Sequence, residues 1–146
     1  MRILGIDYGE ARVGIAITDA LNMTAQGLET IQRNSSDKVV LRRLDEILEQ
    51  YEVETIVVGM PLNMNGTISE RAKITEQFIH KLKCKYNKLK IETIDERLTT
   101  VEAHKTMNFL NVNKNKKKNI VDTISAVYIL ETYLNKLKNS LKNNLK

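Results

Sequence analysis

Hydrophobic residues recur along the chain in short runs that predict five strands. The runs are apolar or β-branched and are bounded by glycine or polar residues, as is typical of buried strands. Gly9 and Glu10 separate the first two runs and predict a hairpin between them. The predicted strands cover residues 3–7, 13–18, 28–31, 54–59 and 90–94.

Between and after these runs, apolar residues recur at helical spacing. A first helix is predicted to start at 35–37 and to bury one face, formed by Leu41, Leu44, Ile47, Leu48 and Tyr51. Thr67 and Glu70 have capping-box spacing, ahead of a helix with an apolar side formed by Ile74, Phe78 and Leu82.

Two more helices are predicted in the last third of the chain. Thr99 and Glu102 again have capping-box spacing, which predicts a helix through about residue 110. The polar run 111–119 is predicted to be a loop, and 120–137 a last helix. The Lys- and Asn-rich end after Lys138 is expected to fray.

Strands that alternate with helices after an opening hairpin predict an α/β or α+β domain of three layers around a mixed sheet. A length of 146 residues suits one domain. We assign residues 1–138 to that domain and 139–146 to a basic C-terminal tail. In such sheets, functional groups gather where strands end and helices begin.

Composition favours a folded domain with an anionic partner. Hydrophobic residues make up 42% and charged residues 28% of the chain, which excludes a disordered or fibrous class. Lys and Arg number 23 against 18 Asp and Glu, for a net charge of +5. A basic surface favours nucleic acid, although many proteins carry such a charge for solubility alone.

The sequence gives no sign of a membrane or secreted protein. No apolar run approaches the ~18 residues of a membrane helix, and the first residues lack a signal-peptide pattern. The single cysteine, Cys84, cannot form an internal disulfide. A cytoplasmic location without membrane contact is therefore expected.

Acidic residues stand at informative positions in three predicted elements. Asp7 lies in a buried strand, where a carboxylate is costly unless it is paired or binds metal. Asp95 and Glu96 close a later strand, and Asp122 lies in the predicted first turn of the last helix. Glu96 could be an ordinary surface residue, and the helix dipole alone would favour an acid at Asp122.

Convergence of these carboxylates would create a site for a hard divalent cation, Mg²⁺ or Mn²⁺. Two such ions about 4 Å apart can clamp a phosphodiester and stabilise its attacking and leaving oxygens. Spacing in the sequence does not establish that the carboxylates converge.

Four separated motifs occur in order along the chain, at 5–16 (GIDYGEARVGIA), 57–67 (VVGMPLNMNGT), 95–100 (DERLTT) and 121–122 (VD) with 125–126 (SA). Together they resemble the motifs of the YqgF family, also called RuvX. The match runs from the first strand to the last helix. Ser125 stands where the family often has alanine.

The resemblance implies a compact relative of the RuvC resolvases with a ribonuclease H-like fold, that is, a mixed five-stranded sheet flanked by helices. It also implies that Asp7, Glu96 and Asp122 are catalytic and bind metal. Asp95 belongs to the same motif, and since successive strand residues face opposite ways, one of the two adjacent acids should face the metal. The Glu-led motif of RuvC-type resolvases favours Glu96.

The family is described as a nuclease for the 5′ end of precursor 16S ribosomal RNA, and earlier, by analogy of fold, as a Holliday junction resolvase. Precursor rRNA is therefore the first expected substrate and branched DNA the second. We expect a monomer or a weak homodimer.

Several basic and polar residues are candidates for substrate binding, each with an ordinary structural alternative. Arg12 and Arg97 could bind phosphate or form surface ion pairs. Asn63 lies in a loop before a helix start, where a capped loop explains it almost as well. The lysines of the predicted loop could bind nucleic acid or simply be solvated; they are Lys116, Lys117 and Lys118. Gly9 and Gly14 could let phosphate approach the backbone, or only shape the hairpin.

Two other classes compete with a nuclease. A nucleic-acid-binding module without catalysis would be expected to lack one of the acids, and this chain keeps them all. Actin-like phosphotransferases share an Asp-x-Gly phosphate motif with 7–9. They need two such domains around a nucleotide, which 146 residues do not provide.

Overall fold

The computed structural model describes residues 1–98 and 114–144, and the side chains of these residues apart from 98, 114–122, 143 and 144. The predicted helix that starts at Thr99 lies outside the described residues. The strands are β1 (Arg2–Tyr8), β2 (Arg12–Thr18), β3 (Ala25–Gln32), β4 (Val53–Met60) and β5 (Lys90–Asp95). The helices are α1 (Asp37–Gln50), α2 (Glu70–Lys85) and α3 (Lys114–Asn144), and a 3₁₀ turn, Glu96–Leu98, follows β5.

The five strands form one mixed sheet in the order β3-β2-β1-β4-β5. β1 pairs antiparallel with β2, as the predicted hairpin requires, and β2 pairs antiparallel with β3. β4 lies parallel to β1 and to β5. The carboxyl ends of β1, β4 and β5 therefore meet at one edge of the sheet, which is where ligands bind in sheets of this kind.

Helices cover both faces of the sheet, which confirms the three-layer α/β fold. On one face, α1 and α2 pack their buried side chains against alternate residues of the strands, such as Leu4, Ile6 and Ile15. On the other face, α3 packs against Ile3, Ala16, Val57 and Ile94. β1 and β4 lie between the layers and are apolar on both faces, as buried parallel strands usually are.

The first two helices begin close to their predicted starts. Ser36 caps α1, and its Oγ accepts a hydrogen bond from the Lys38 amide. The predicted capping box at Thr67 is wrong: Ser69 caps α2, and its Oγ accepts from the Ala72 amide at 3.0 Å. The buried face of α2 also differs in part from the prediction. Phe78 and Leu82 are buried as predicted, whereas Ile74 is 47% exposed.

The last helix is longer than predicted at both ends. α3 begins at Lys114, so the prediction of a loop is wrong for residues 114–119, which lie in its first turns. The expectation of a frayed tail is also wrong up to Asn144, where α3 ends. The division into a domain, 1–138, and a basic tail, 139–146, stays a prediction. Among the described helices, none combines the length and apolarity that a membrane crossing requires.

Glycines let α3 lie close against the strands. A Cβ added to Gly5 would stand 2.5 Å from Leu130 Cγ and 3.0 Å from the Ala126 carbonyl oxygen. A Cβ on Gly27 would collide with the Thr123 side chain. Thr123 Oγ1 also lies 3.0 Å from Thr30 Oγ1 of β3. These approaches fix the first half of α3 over β1 and β3.

Candidate active site

The structure brings two of the predicted acids together at the carboxyl edge of the sheet. Asp7 lies on the α3 face of β1, because it follows Ile3 and Gly5 at alternating positions. Glu96 follows Ile94 in the same way at the end of β5. Their carboxyl groups are hydrogen-bonded to each other across the intervening strand, β4.

Gly59 makes this contact possible. It lies on β4, between the strand that carries Asp7 and the strand that leads to Glu96. A Cβ added to Gly59 would stand 2.5 Å from Glu96 Oε1, 2.6 Å from Glu96 Cγ and 2.6 Å from Ile129 Cδ1. The missing side chain therefore leaves the space through which Glu96 reaches Asp7.

The pKa of the Asp7 carboxyl is raised well above its usual value. The largest cause is burial, followed by the hydrogen bond with Glu96 and the repulsion between the two carboxyls. The positive charge of Arg71 opposes these effects without cancelling them. A cation bound beside the two carboxyls would favour the ionised form of Asp7.

The carboxylate of Asp95 is hydrogen-bonded to Arg97. Its oxygens accept hydrogen bonds from Arg97 Nε at 2.9 and 3.0 Å, from Arg97 Nη2 at 2.5 Å and from the Arg97 amide at 3.0 Å. These hydrogen bonds hold the pKa of Asp95 below its usual range. Of the two adjacent acids, Glu96 is thus the one that the structure brings to Asp7.

Arg97 connects Asp95 to the loop that follows β4. Besides its bonds to Asp95, its Nη1 donates to the Met64 carbonyl oxygen at 3.1 Å. Within the loop, Asn63 Nδ2 donates to Thr67 Oγ1 and the Asn63 amide to the Thr67 carbonyl, both at 3.0 Å. Both predicted substrate ligands, Arg97 and Asn63, thus have structural partners within the protein.

The predicted glycines lie in the hairpin beside Asp7. The Gly9 amide donates to the Arg12 carbonyl oxygen at 2.9 Å, and a Cβ on Gly9 would stand 2.5 Å from that oxygen. Gly9 is therefore required by the tight turn. Gly14 lies directly opposite Asp7 in the β1–β2 register, and Arg12 begins β2.

Asp122 lies on α3, about two turns after the helix begins, and its side chain is outside the described part of the structure. The prediction of a first-turn position is wrong because α3 starts at Lys114. Attraction to the helix N-terminus therefore no longer explains an acid here, since that effect fades within one turn. Its neighbour Thr123 contacts Thr30 of β3. Thr30 pairs with Gly14 of β2, and Gly14 pairs with Asp7 of β1, so these three residues lie side by side across the sheet.

Lys116, Lys117 and Lys118 lie in the first turns of α3, and their side chains are outside the described part.

Within the described residues, no group of three His, Cys, Asp or Glu side chains is close enough to hold a metal ion. The donors that are described, the carboxyls of Asp7 and Glu96, are of the oxygen type that Mg²⁺ and Mn²⁺ prefer.

Two neighbours of the carboxyl pair were not identified in the sequence. Gly59 ends a β-branched run, and a glycine that interrupts such a run signals a close approach. Arg71, in the first turn of α2, acts on the charge of Asp7 from the opposite face of the sheet. It has no comparable sequence signal, because its proximity depends on how α2 packs.

Comparison with known proteins gives one consistent family. The family model described as "RuvX: Holliday junction resolvase" matches residues 1–136. A protein of Ruminiclostridium cellulolyticum named "Putative pre-16S rRNA nuclease" is 51% identical over 143 residues, which cover 98% of this chain and 100% of the relative. A protein of Acetivibrio thermocellus with the same name is 50% identical over 134 residues, covering 92% of this chain and 95% of the relative.

Solved structures agree on the fold. RuvC of T. thermophilus, determined with a Holliday junction substrate, superposes with a TM-score of 0.57 at 12% identity, covering 93% of this chain and 96% of RuvC. The fowlpox virus Holliday junction resolvase superposes with a TM-score of 0.56 at 16% identity, covering 94% of this chain and 99% of the viral one. At these identities the likeness supports the fold alone.

Proposed function

The chain belongs to the RuvX family, and we propose that it is a metal-dependent endonuclease that processes the 5′ end of precursor 16S rRNA. The observation that carries this proposal is the contact between Asp7 and Glu96 at the carboxyl edge of the sheet. The names of relatives about 50% identical to the chain support rRNA as the substrate. Bacterial rRNA is processed in the cytoplasm, where we place this protein, as a monomer or a weak homodimer.

We assign the metal ligands to Asp7, Glu96 and Asp122. The donor set fits Mg²⁺ or Mn²⁺, because it is made of carboxylate oxygens. The pKa of Asp7 is raised because its carboxylate is buried beside another carboxyl, and a bound cation would supply the positive charge that stabilises the ionised form. Such an ion, when bound, stabilises charge on the phosphate and lowers the pKa of an attacking water. Asp7, in the middle of the sheet, is the fixed ligand, while Gly59 leaves room for Glu96 beside it.

The basic residues supply substrate binding in this proposal. Arg12 lies beside the hairpin turn next to Asp7, where a guanidinium can bind a phosphate through two parallel hydrogen bonds. Lys116, Lys117 and Lys118 extend the site along the first turns of α3. Arg97 and Asn63 act indirectly, because both maintain the shape of the loop after β4.

Cleavage of a branched DNA is the second candidate. The family model carries the description of a Holliday junction resolvase, and the RuvC fold is shared. The decisive experiment incubates the protein with a precursor 16S rRNA fragment, a four-way DNA junction and unstructured strands, each with and without Mn²⁺. Metal-dependent cuts at the mature 5′ end support the first candidate, and paired cuts in the junction support the second.

Gly59→Ala is expected to reduce cleavage by about 10- to 100-fold, because the added methyl group displaces Glu96 from Asp7. Val57→Ala, two residues earlier on the same face of β4, is the matched control. It also disturbs packing against α3 but does not touch Glu96. Single-turnover rates, corrected for the folded fraction, should fall for Gly59→Ala and not for Val57→Ala. Equal rates in both variants would contradict the role of Gly59.

Replacement of Lys116, Lys117 and Lys118 together by Ala is expected to weaken RNA binding and to reduce its salt dependence. Each lost phosphate contact removes about 0.7 from the slope of log affinity against log salt for a single strand. Cleavage at saturating RNA should persist, because these lysines serve docking. The matched control changes three lysines elsewhere, Lys83, Lys85 and Lys88, and filter binding across salt concentrations measures both slopes. Unchanged affinity and slope in the first variant would mean that its lysines are only solvated.

A further inference from the structure

A cavity of about 350 Å³ lies at the same end of the sheet as Asp7, but on the opposite face. Tyr8 and Gly9 at the end of β1 form one side, and Arg71, Ile74 and Thr75 of α2 form the other. Because Tyr8 follows Asp7 directly, the cavity is separated from the carboxyl pair by the thickness of β1. Its volume falls in the range of about 300–1,000 Å³ that is usual for small-molecule sites.

The wall formed by Tyr8 is held in place by a charged cluster. The Tyr8 hydroxyl donates to Asp37, which also accepts from Arg33 Nε at 2.9 Å and from Lys81 Nζ at 2.8 Å. The Tyr8 ring stacks on Phe78 with a centroid distance of 4.1 Å. Burial would raise the pKa of Asp37, but its three donors hold the pKa below the usual value. The cavity is therefore shaped before any ligand arrives.

Arg33 adds a fixed guanidinium to this wall. Its Cζ lies 5.2 Å from the centroid of the Tyr8 ring, and its Nη1 donates to the Glu10 carbonyl oxygen at 3.0 Å. Only 18% of its side chain is exposed. A guanidinium fixed in this way is a surface on which a nucleobase can stack.

Arg71, in contrast, forms no ion pair within the described part of the chain, although its charge acts on Asp7 across β1. Among the described residues its guanidinium makes one hydrogen bond, from Nη2 to the Tyr8 carbonyl oxygen at 3.5 Å, and no ion pair. Its side chain lies at the mouth of the cavity and is exposed. An exposed guanidinium with free donors is suited to a phosphate, which it can bind through two parallel hydrogen bonds.

We propose that this cavity is a nucleotide subsite, in which Arg71 binds a phosphate of the substrate strand and the cavity receives the base of that nucleotide. The subsite rests on the proposed nuclease function and adds to it a place where the strand is held beside the bond to be cut. The carboxylates of Glu10 and Glu70 at the rim repel a second phosphate from the interior. They favour instead an uncharged base, whose amino groups can donate to them.

The phosphate contact is tested with Arg71→Ala in an Asp7→Asn background, so that the RNA stays intact during binding. The probe is a fluorescein-labelled RNA 20-mer that spans the mature 5′ end of 16S rRNA. Arg71→Ala should weaken binding about tenfold and lower the salt slope by about 0.7. Lys83→Ala removes the same charge from the same helix, outside the cavity, and should leave affinity and slope unchanged. Equal effects of the two variants would overturn the phosphate contact.

The base contact is tested with Ile74→Trp, which fills the cavity from its exposed rim. The same RNA is prepared with single abasic sites at successive positions around the cut. At one position, loss of the base should weaken binding of the Asp7→Asn protein about tenfold, since stacking of one base contributes on that order. The same abasic site should have no further effect on the Ile74→Trp variant. An abasic profile that is identical in both proteins would overturn the subsite.

These measurements separate the subsite from the nuclease assignment. Binding that depends on Arg71 but not on Lys83 supports the subsite even if the wild-type protein cuts none of the RNAs. Cleavage by the wild-type protein with no effect of Arg71 or Ile74 supports the nuclease and rejects the subsite. Thermal unfolding of each variant, compared with the parent, corrects the apparent affinity for the folded fraction.

Discussion

Replacing Asp7 with Asn is expected to abolish metal-dependent cleavage, with a loss of at least about a thousandfold in the single-turnover rate. The amide has nearly the shape of the carboxyl but carries no charge, so it removes the metal ligand that we propose for the centre of the site and leaves β1 intact. Removal of a group that forms part of the reacting centre usually has effects of this size or larger. Rates measured across Mn²⁺ concentrations should show no recovery at high metal.

The same substitution is expected to stabilise the metal-free protein by about 1 kcal/mol near neutral pH. The pKa of Asp7 is raised in the folded state by burial and by the adjacent Glu96, so the folded protein binds this proton more tightly than the unfolded chain does. Below about pH 3.9, the pKa of Asp7 in the unfolded chain, the stability that this proton contributes is fully present. It is lost as the pH rises through the higher pKa that Asp7 has in the folded protein.

The pH profile isolates Asp7 when the two proteins are compared. Other carboxyls, such as Asp37 and Asp95, have lowered pKa values and lose their stabilising effect as pH falls, in the wild type and in the variant alike. The difference in unfolding free energy between Asp7→Asn and wild type should therefore grow as pH rises from about 4 toward the folded pKa of Asp7. Urea unfolding in the presence of a chelator measures this difference.

Asp45→Asn is the matched control for both effects. Asp45 accepts hydrogen bonds from Lys85 and Tyr86, away from the carboxyl edge, and these bonds lower its pKa. Its replacement should leave cleavage unchanged and reduce stability at neutral pH. Wild-type cleavage by Asp7→Asn would show that the proposed metal centre is wrong. Lower stability of metal-free Asp7→Asn at neutral pH would contradict the cost that burial and the adjacent Glu96 impose on the Asp7 charge.

The strands and the sheet were predictable because their signals are local. Five apolar runs gave five strands, and the Gly9–Glu10 break gave the hairpin that the β1–β2 register confirms. Helix ends were less predictable, because several residues compete to cap one helix. Thr67 has the spacing of a capping box, but its hydroxyl is held within the loop by Asn63 and Asn65, and Ser69 caps α2 instead.

The start of α3 was missed for a different reason. A run with four lysines, Lys114 and 116–118, has no apolar periodicity, so its pattern predicts a solvated loop. Lysine is nevertheless a good helix former, and a helix already fixed by the packing of Ala126 and Leu130 can extend through such a run. Propensity rather than pattern decided this segment.

The acids of the candidate site were visible in the sequence, but their surroundings were not. A carboxylate in a buried strand marks Asp7 without any knowledge of the fold. The roles of Gly59 and Arg71 depend on distances across the sheet, between elements remote in sequence. The choice between Asp95 and Glu96 is of the same kind, because it depends on which of them Arg97 binds.

Glu96→Gln is expected to reduce cleavage by at least about a hundredfold, whereas Asp95→Asn should reduce it by about tenfold or less. Glu96 contacts Asp7 and is assigned to the metal, so its neutral analogue should also raise the Mn²⁺ concentration needed for half-maximal activity. Asp95 acts through Arg97 on the loop at Met64, so its replacement should loosen that loop and raise the KM.

The two variants form a matched pair, since each removes one negative charge from adjacent positions. Single-turnover rates across Mn²⁺ and RNA concentrations distinguish a metal defect from a substrate-positioning defect. A rightward shift of the metal dependence in Glu96→Gln, with an unshifted one in Asp95→Asn, supports Glu96 as the ligand. The reverse order would transfer the metal role to Asp95. It would also require the carboxylate to leave Arg97 when metal binds, because that guanidinium now occupies both of its oxygens.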